Sequence, residues 1–312
     1  MALDLGFDEA TAERAAIVIT EAGTNLLKHA QGGQIVLRQI EAQNGSSGSA
    51  GAATLEILAL DRGPGMVNVE ESMRDGHSTS GTSGSGLGAI GRLSSYSEIY
   101  SLPGRGTAVL ARIASPRVKP HPAPLGAIQF PYPGEDVCGD DWGVVSEGSQ
   151  QTFLLADGLG HGVDAARAAR AAVDVLYARP HLATEALLAA VHEALRSTRG
   201  AAVSVAQILP EQGIVRFSGL GNVSGTVFSP DCPPRRMVST NGTAGLQARH
   251  IREFTYPWTP GSILVMCSDG IGTHWDLSDY PGLIHHDPAI VAGVIFREQV
   301  RGNDDATVLA AR

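Results

Sequence analysis

The sequence predicts an α+β protein of two domains, in each of which helices pack on a mainly antiparallel sheet. Three observations carry that expectation. Short strand-like segments alternate with helical ones, the helices of the second half are rich in Ala and Leu, and one proline-rich run separates the halves. With 312 residues and 43% hydrophobic content, the chain is long enough to bury a core in each half.

Along the chain, Asp8 to Ala30 reads as a helix. Ala12, Ala15, Ala16, Ile19, Ala22, Leu26 and Leu27 form an apolar stripe at three-to-four spacing, and Asp8 is placed to cap the N-terminus. Gln34 to Ile40 and Thr54 to Leu60 alternate as strands, and NGSSGSAGAA (44–53) between them reads as a flexible hairpin loop. Leu87 to Leu93 reads as an apolar helix. Residues 114–124, ASPRVKPHPAP, hold four prolines, which fix φ and remove backbone donors, so this run reads as a linker. Eleven such residues in a polyproline conformation span up to ~34 Å. Beyond it, Thr152 to Ala156, Ala202 to Ile208, Ile214 to Ser218, Ile263 to Cys267 and Ala306 to Ala310 read as strands. Ala165 to Ala178 and Ala183 to Leu195 read as helices. The expected organisation is a first domain over 1–113, a linker over 114–125 and a second domain over 126–312.

Composition narrows the function. Lys and Arg number 23 against 32 Asp and Glu, a net charge of −9, so nothing draws the chain to a phosphate backbone or anionic lipid, and nucleic acid is not an expected partner. No apolar run approaches the ~20 residues needed to span a bilayer and no signal segment opens the chain, so no membrane partner is expected and the cytoplasm is the expected compartment. Cys138, Cys232 and Cys267 are odd in number and lack a CxxC pair, which leaves reduced, mostly buried thiols as the expectation.

Three features in the first half point to nucleotide chemistry. Glu21, Asn25, Lys28 and His29 lie at i, i+4, i+7 and i+8, so they share one helix face, where a carboxylate and an amide oxygen suit Mg²⁺. Asp61-Arg62-Gly63-Pro64-Gly65-Met66 ends a strand in a turn whose glycines permit close backbone approach. The run Gly81 to Gly88, GTSGSGLG, leads into the Leu87 helix, where free N–H groups suit phosphate.

In this order, EAGTNLLKHA, DRGPGM and GTSGSGLGAIGRL, followed by GRGTAV, resemble the boxes of the GHKL (Bergerat) ATPase fold, an α/β sandwich, over about residues 8 to 113. The likeness is greatest to anti-sigma-factor serine kinases of the SpoIIAB, RsbW and RsbT type. The resemblance implies ATP with Mg²⁺ held by Asn25, Glu21 as general base toward an acceptor hydroxyl, and Asp61 on the adenine amino group. Gly63, Gly65, Gly84, Gly86 and Gly88 would shape the nucleotide loops, and Thr107 would complete the pocket. Only seven residues precede Asp8, fewer than the family's usual extra strand or helix.

In the second half, FLLADG and ILVMCSDG each run an apolar strand into Asp-Gly, Asp140 lies in CGDDW, and Asp304 and Asp305 open the last strand. Gathered by a sheet, such carboxylates repel one another unless divalent cations sit among them, and two Mg²⁺ or Mn²⁺ ions could activate a water for phosphoester hydrolysis. His161, in the DGLGHG turn, could give a proton to the leaving serine oxygen. These motifs, with RGAAVSVAQI, GLGNVSGTVF and TPGSILVMCSDGI, resemble the PPM/SpoIIE phosphatase family, in particular its RsbX-type members, over about residues 126 to 312. The resemblance implies an α-β-β-α sandwich, Asp157 bridging two metals, the Gly158 carbonyl on one, and Asp140, Asp269 and Asp304 completing the set. It also implies that the side chains of Asp141 and Asp305 point away. Arg199 is the one candidate for a phosphate-binding arginine.

Both resemblances together imply a bifunctional partner-switching regulator: a kinase and a phosphatase acting on a STAS-domain phosphoprotein of a sigma-factor or stressosome pathway. A sigma factor or activator phosphatase would be a further partner. The alternative is a first half that only senses nucleotide or holds a protein while the phosphatase does the chemistry.

Overall fold

The structure, a computed structural model, describes residues 7–30, 32–41, 53–73, 86–115, 123–230 and 232–312. The chain divides into two compact units. The first is Met1–Pro124 with Ala289–Arg297, and the second is Leu125–Pro288 with Glu298–Arg312. Most of the expected hairpin loop (42–52) and linker (116–122), and Gly81 to Ser85 of the glycine-rich run, including Gly84, lie outside the described residues.

The first unit contains α1 (Glu9–His29), β1 (Gln34–Glu41), β2 (Ala53–Leu60), α2 (Val69–Ser72), α3 (Gly86–Leu93), β3 (Tyr96–Ser101) and β4 (Thr107–Ala114). Its strands form one antiparallel sheet in the order β1-β2-β4-β3. Asp8 caps α1, its side chain accepting from Thr11 N at 2.8 Å. Leu55, Ile57, Ala59, Ala111 and Ile113 alternate onto the face that packs against Ala15, Val18, Ala22 and Leu26 of α1 and Ile90 of α3. The α1 stripe is rotated from the expected one: Thr11 and Val18 face the core, whereas Ala16 and Leu27 are exposed. The core takes the column at i, i+4, i+7, i+11 and i+15, and Ala16 and Leu27 fall outside it. Glu56 is buried in the sheet. Two N–H groups of Arg112 (2.9 and 2.7 Å) donate to one of its carboxylate oxygens and Arg38 Nε (2.9 Å) to the other. The register sets Arg38 and Arg112 directly beside Glu56, so the charge is compensated where it is desolvated.

The second unit has β5 (Leu125–Phe130), β6 (Asp140–Glu147), β7 (Gln150–Gly158), α4 (Val163–Ala178), α5 (Thr184–Ala194), β8 (Ala201–Leu209), β9 (Ile214–Leu220), β10 (Ser224–Ser229), β11 (Cys232–Arg236), β12 (Gly242–Thr243), β13 (Gln247–Ala248), β14 (Phe254–Pro257), β15 (Ile263–Cys267) and β16 (Ala306–Ala311). Two five-stranded antiparallel sheets, β14-β9-β8-β7-β6 and β11-β10-β15-β16-β5, face each other. Phe153, Leu155, Ala206 and Phe217 from one sheet and Val227, Leu264, Met266 and Leu309 from the other close the core between them. On the outer face of the first sheet, Leu154, Ala156, Val203 and Val205 pack against Ala169, Val173 and Leu176 of α4 and Leu187 and Leu188 of α5. This is the α+β class expected. Residues Ala289–Arg297 of the last helix, α6 (Pro288–Gln299), group with the first unit, where the Arg297 guanidinium donates to the carbonyl of Asp61 at 2.8 Å.

Cys267 is buried and Cys138 half-buried, and desolvation pushes both thiols up, that of Cys267 to about 12. Cys232, the exception among the expected mostly buried thiols, is exposed because it lies in the polar edge strand β11.

Candidate functional site

In the first unit, helix packing brings two of the expected boxes together. A Cβ on Gly86, the first residue of α3, would stand 3.0 Å from a Glu21 carboxylate oxygen and 3.1 Å from the Asn25 side-chain oxygen. Glycine is therefore what lets the α3 N-terminus reach the polar face of α1. The Asn25 Nδ2 group is buried without a hydrogen-bond partner, which marks a polar site awaiting one. Lys28 and His29 are exposed at the last turn of α1. Asp61 is tied down at the end of β2, its Oδ1 accepting from Gly63 N (2.7 Å) and Thr107 N (3.2 Å). Gly65 has φ +67°, and a Cβ there would lie 2.0 Å from the Leu102 carbonyl, so only glycine closes this turn. Thr107 is buried, with Oγ1 2.9 Å from Ser101 Oγ. Gly88 is buried inside α3.

In the second unit, the β6–β7 register sets Asp140 opposite Asp157. Asp140 is 2% exposed; one of its oxygens accepts from Thr307 Oγ1 at 2.7 Å and the other has no partner. Burial is the chief cause that raises its carboxyl to about 7, with Asp305 and Asp269 adding repulsion. Burial likewise raises Asp157 to about 8, helped by the charges of Asp140, Asp269 and Asp304. Asp269 is raised by burial and then by Asp304, while Asn222 donates to it at 2.6 Å. These four carboxylates thus feel one another's charge. Gly158 is pressed against α4: a Cβ there would meet the Ala165 carbonyl at 2.2 Å.

The neighbouring acids divide. Asp141 turns to α4, where Arg170 meets it at 3.0 Å. Asp305, expected to point away, instead joins the cluster. It is buried, raises Asp140, accepts from Tyr132 N at 2.8 Å and keeps one oxygen without a partner. Asp305 directly precedes β16 and is held there by the Tyr132 N–H, a placement that the repeated Asp-Asp left open. Among the described residues, no group of three or more His, Cys, Asp or Glu side chains is drawn together tightly enough to hold a metal ion. The donor set still fits divalent ions: hard oxygens, two of them buried and unanswered, with repulsion that cations would relieve.

His161 is half exposed, and its Nδ1 lies 2.8 Å from a Glu135 oxygen. Arg199 donates to the Leu159 carbonyl at 3.1 Å, so it braces the DGLGHG turn. Glu135 and Tyr132, which stacks on His161, were not singled out in the sequence. The Pro-Gly pair between them was the available signal.

An ATPase-type α/β unit bearing polar nucleotide boxes and a two-sheet unit bearing buried carboxylates define the class. Through residues 2–113 the chain belongs to the histidine kinase-like ATPase domain family, and residues 147–277 match the stage II sporulation protein E (SpoIIE) family. It is 36% identical over 111 residues to serine/threonine-protein kinase RsbT of Bacillus subtilis (strain 168), an alignment covering 36% of this chain and 78% of RsbT. It is 24% identical over 138 residues to phosphoserine phosphatase RsbX of the same strain, covering 44% of this chain and 69% of RsbX. The crystal structure of RsbX in complex with magnesium superposes at a TM-score of 0.50 and 22% identity, over 60% of this chain and 92% of that one. The chain therefore joins an RsbT-like, kinase-like domain to an RsbX-like and SpoIIE-like serine/threonine phosphatase domain. Among the described residues, no helix is long and apolar enough to cross a membrane.

Proposed function

We propose that the chain is a bifunctional partner-switching regulator acting in the cytoplasm. Domain 126–312 removes phosphate from serine or threonine of a protein, and domain 1–113 binds Mg²⁺-ATP and phosphorylates the same class of protein, a STAS-domain component of a sigma-factor or stressosome pathway. The observation that carries the phosphatase reading is the facing pair Asp140, buried, and Asp157, half-buried, with Asp269 close enough to raise both and Asp304 close enough to raise Asp157.

Asp140, Asp157, Asp269, Asp304 and the Gly158 carbonyl would hold two Mg²⁺ or Mn²⁺ ions. When bound, such ions supply an activated water and neutralise charge on the phosphoryl group. The chain's own residues do the rest. Thr307 holds one oxygen of Asp140, Asn222 orients Asp269, and Gly158 lets α4 pack closely on the strand end. His161 gives a proton to the departing serine oxygen.

In the first unit, Asn25 would hold Mg²⁺ and Glu21 would take the proton of the acceptor hydroxyl. Asp61, its Oδ1 engaged by backbone, would offer Oδ2 to adenine. Gly63, Gly65, Gly84, Gly86 and Gly88 would shape the nucleotide loops, and Thr107 would complete the pocket. Glu21 and Asn25 both border Gly86, which supports a shared phosphate-transfer site.

The test is reciprocal. Glu21→Ala should eliminate transfer from ATP to a STAS protein, read by mass, while Mn²⁺-dependent dephosphorylation continues. Asp269→Asn should do the reverse. If the wild type dephosphorylates a STAS protein but never labels one from ATP, the first half is a nucleotide sensor and the kinase assignment fails.

A further inference from the structure

Tyr132 and Glu135, which lie outside the metal-site motifs, form a cluster with His161 of the DGLGHG turn. Tyr132-Pro133-Gly134-Glu135 is a tight turn closed by Glu135 N donating to the Tyr132 carbonyl at 2.9 Å, with Gly134 at φ +96°. Pro at the second position and a positive-φ glycine at the third are what a type II turn demands. The turn brings its two end side chains to one histidine. The Tyr132 and His161 rings stack with centroids 4.4 Å apart and 17° between planes, and Glu135 meets His161 Nδ1 at 2.8 Å.

The cluster is tied to the acidic site from both sides. Tyr132 N donates to Asp305 at 2.8 Å, and His161 lies four residues after Asp157 on a turn that Arg199 braces at the Leu159 carbonyl. A Cβ on Gly162 would stand 3.2 Å from the Glu135 carboxylate, so the turn leaves room for that carboxylate and little else. A carboxylate only accepts, so Nδ1 must carry the hydrogen of this bond. Nε2 is then the nitrogen that gives or takes a proton.

We propose that Glu135 and Tyr132 are positioning residues that fix the ring of His161 and hold its Nδ1–H, so that the doubly protonated ring gives its Nε2 proton to the leaving serine oxygen during phosphate hydrolysis. This rests on the phosphatase reading above. In the step, a water oxygen forms a bond to phosphorus and the phosphorus–serine oxygen bond breaks. The bonding pair stays on the serine oxygen, which takes the Nε2 proton and leaves the neutral Nδ1–H ring; the water releases its own proton to solvent, from which Nε2 is protonated again. The products are serine and inorganic phosphate.

A leaving group that needs no proton separates this role from a structural one. With the full chain and Mn²⁺, kcat would be measured on a short phosphoserine peptide and on p-nitrophenyl phosphate, whose phenolate departs unprotonated. His161→Ala should lose at least 10-fold more on the peptide than on the aryl phosphate. Glu135→Ala should show the same bias at about 5- to 10-fold, the modest size set by the pair's exposure, and Glu135→Gln, whose carbonyl still accepts from Nδ1, should recover part of it. A biased His161→Ala with unbiased Glu135→Ala and Glu135→Gln overturns the positioning role alone. Equal losses on both substrates in the Glu135 variants mean a turn brace and also overturn it. An unbiased His161→Ala removes the general acid, and the positioning role with it. No hydrolysis of either substrate by the wild type removes the phosphatase reading itself.

Discussion

The face of α1 and the ends of β6, β7, β15 and β16 both gather groups suited to phosphate, but burial separates them. Asp140 is 2% exposed and close to other carboxylates, and burial pushes its pKa up to about 7. Glu21 and Asn25 are only half-buried, beside a glycine, and Asp61 spends one oxygen on backbone N–H groups. The first unit thus offers a polar cradle assembled from backbone turns. The second holds a self-repelling cluster that cations would complete. One site is expected to tolerate the loss of its ligand; the other stores a penalty until charge arrives.

The sharpest way to break the comparison is Asp157→Asn, which should lower Mn²⁺-dependent phosphoserine hydrolysis by about 10³-fold or more with the fold retained. Activity within about threefold of wild type, only ~0.7 kcal/mol of barrier, would remove Asp157 from the centre. Next in size is nucleotide affinity: Asn25→Ala and Asp61→Asn should each weaken Mg²⁺-ATP binding by roughly 10-fold, through loss of one directed polar contact. Calorimetry on the full chain reads this, and unchanged affinity in both variants would leave the first unit a nucleotide fold without a working pocket.

The smallest effect concerns charge in the metal-free protein. Asp140 and Asp157 hold their protons more tightly folded than at the ordinary 3.8, rising to about 7 and about 8. The stability linked to them is intact below about pH 4 and falls as pH rises through 7 to 8. Asp157→Asn should therefore raise the metal-free Tm by roughly 4–8 °C at pH 8, about 2 kcal/mol, and by little at pH 5. An equal shift at both pH values would show that repulsion is not what the substitution relieves.

Much of this was legible because local chemistry repeats. Strands β8, β9 and β15 and helices α4 and α5 follow from alternation and from Ala- and Leu-rich runs, and the Asp-Gly strand ends marked Asp157 and Asp269 directly. The α1 stripe was read one column off because Ala16 and Leu27 are as apolar as the residues that face the core. Only the sheet beneath the helix distinguishes them.

By itself the sequence determined α1, α3, α4 and α5, strands β1, β2, β7, β8, β9, β15 and β16, the nucleotide boxes and the identity of the acidic residues, since propensity, turn chemistry and strand-end Asp-Gly pairs depend on near neighbours. The tertiary structure decided which groups meet. The β6–β7 register puts Asp140 across from Asp157, and the Tyr132 N–H holds Asp305 in the buried cluster. The Tyr132 to Glu135 turn finds His161, and Glu56 is buried between two arginines from separate strands. These pairings depend on contacts between residues distant in sequence and on desolvation, and both exist only once the sheets have closed.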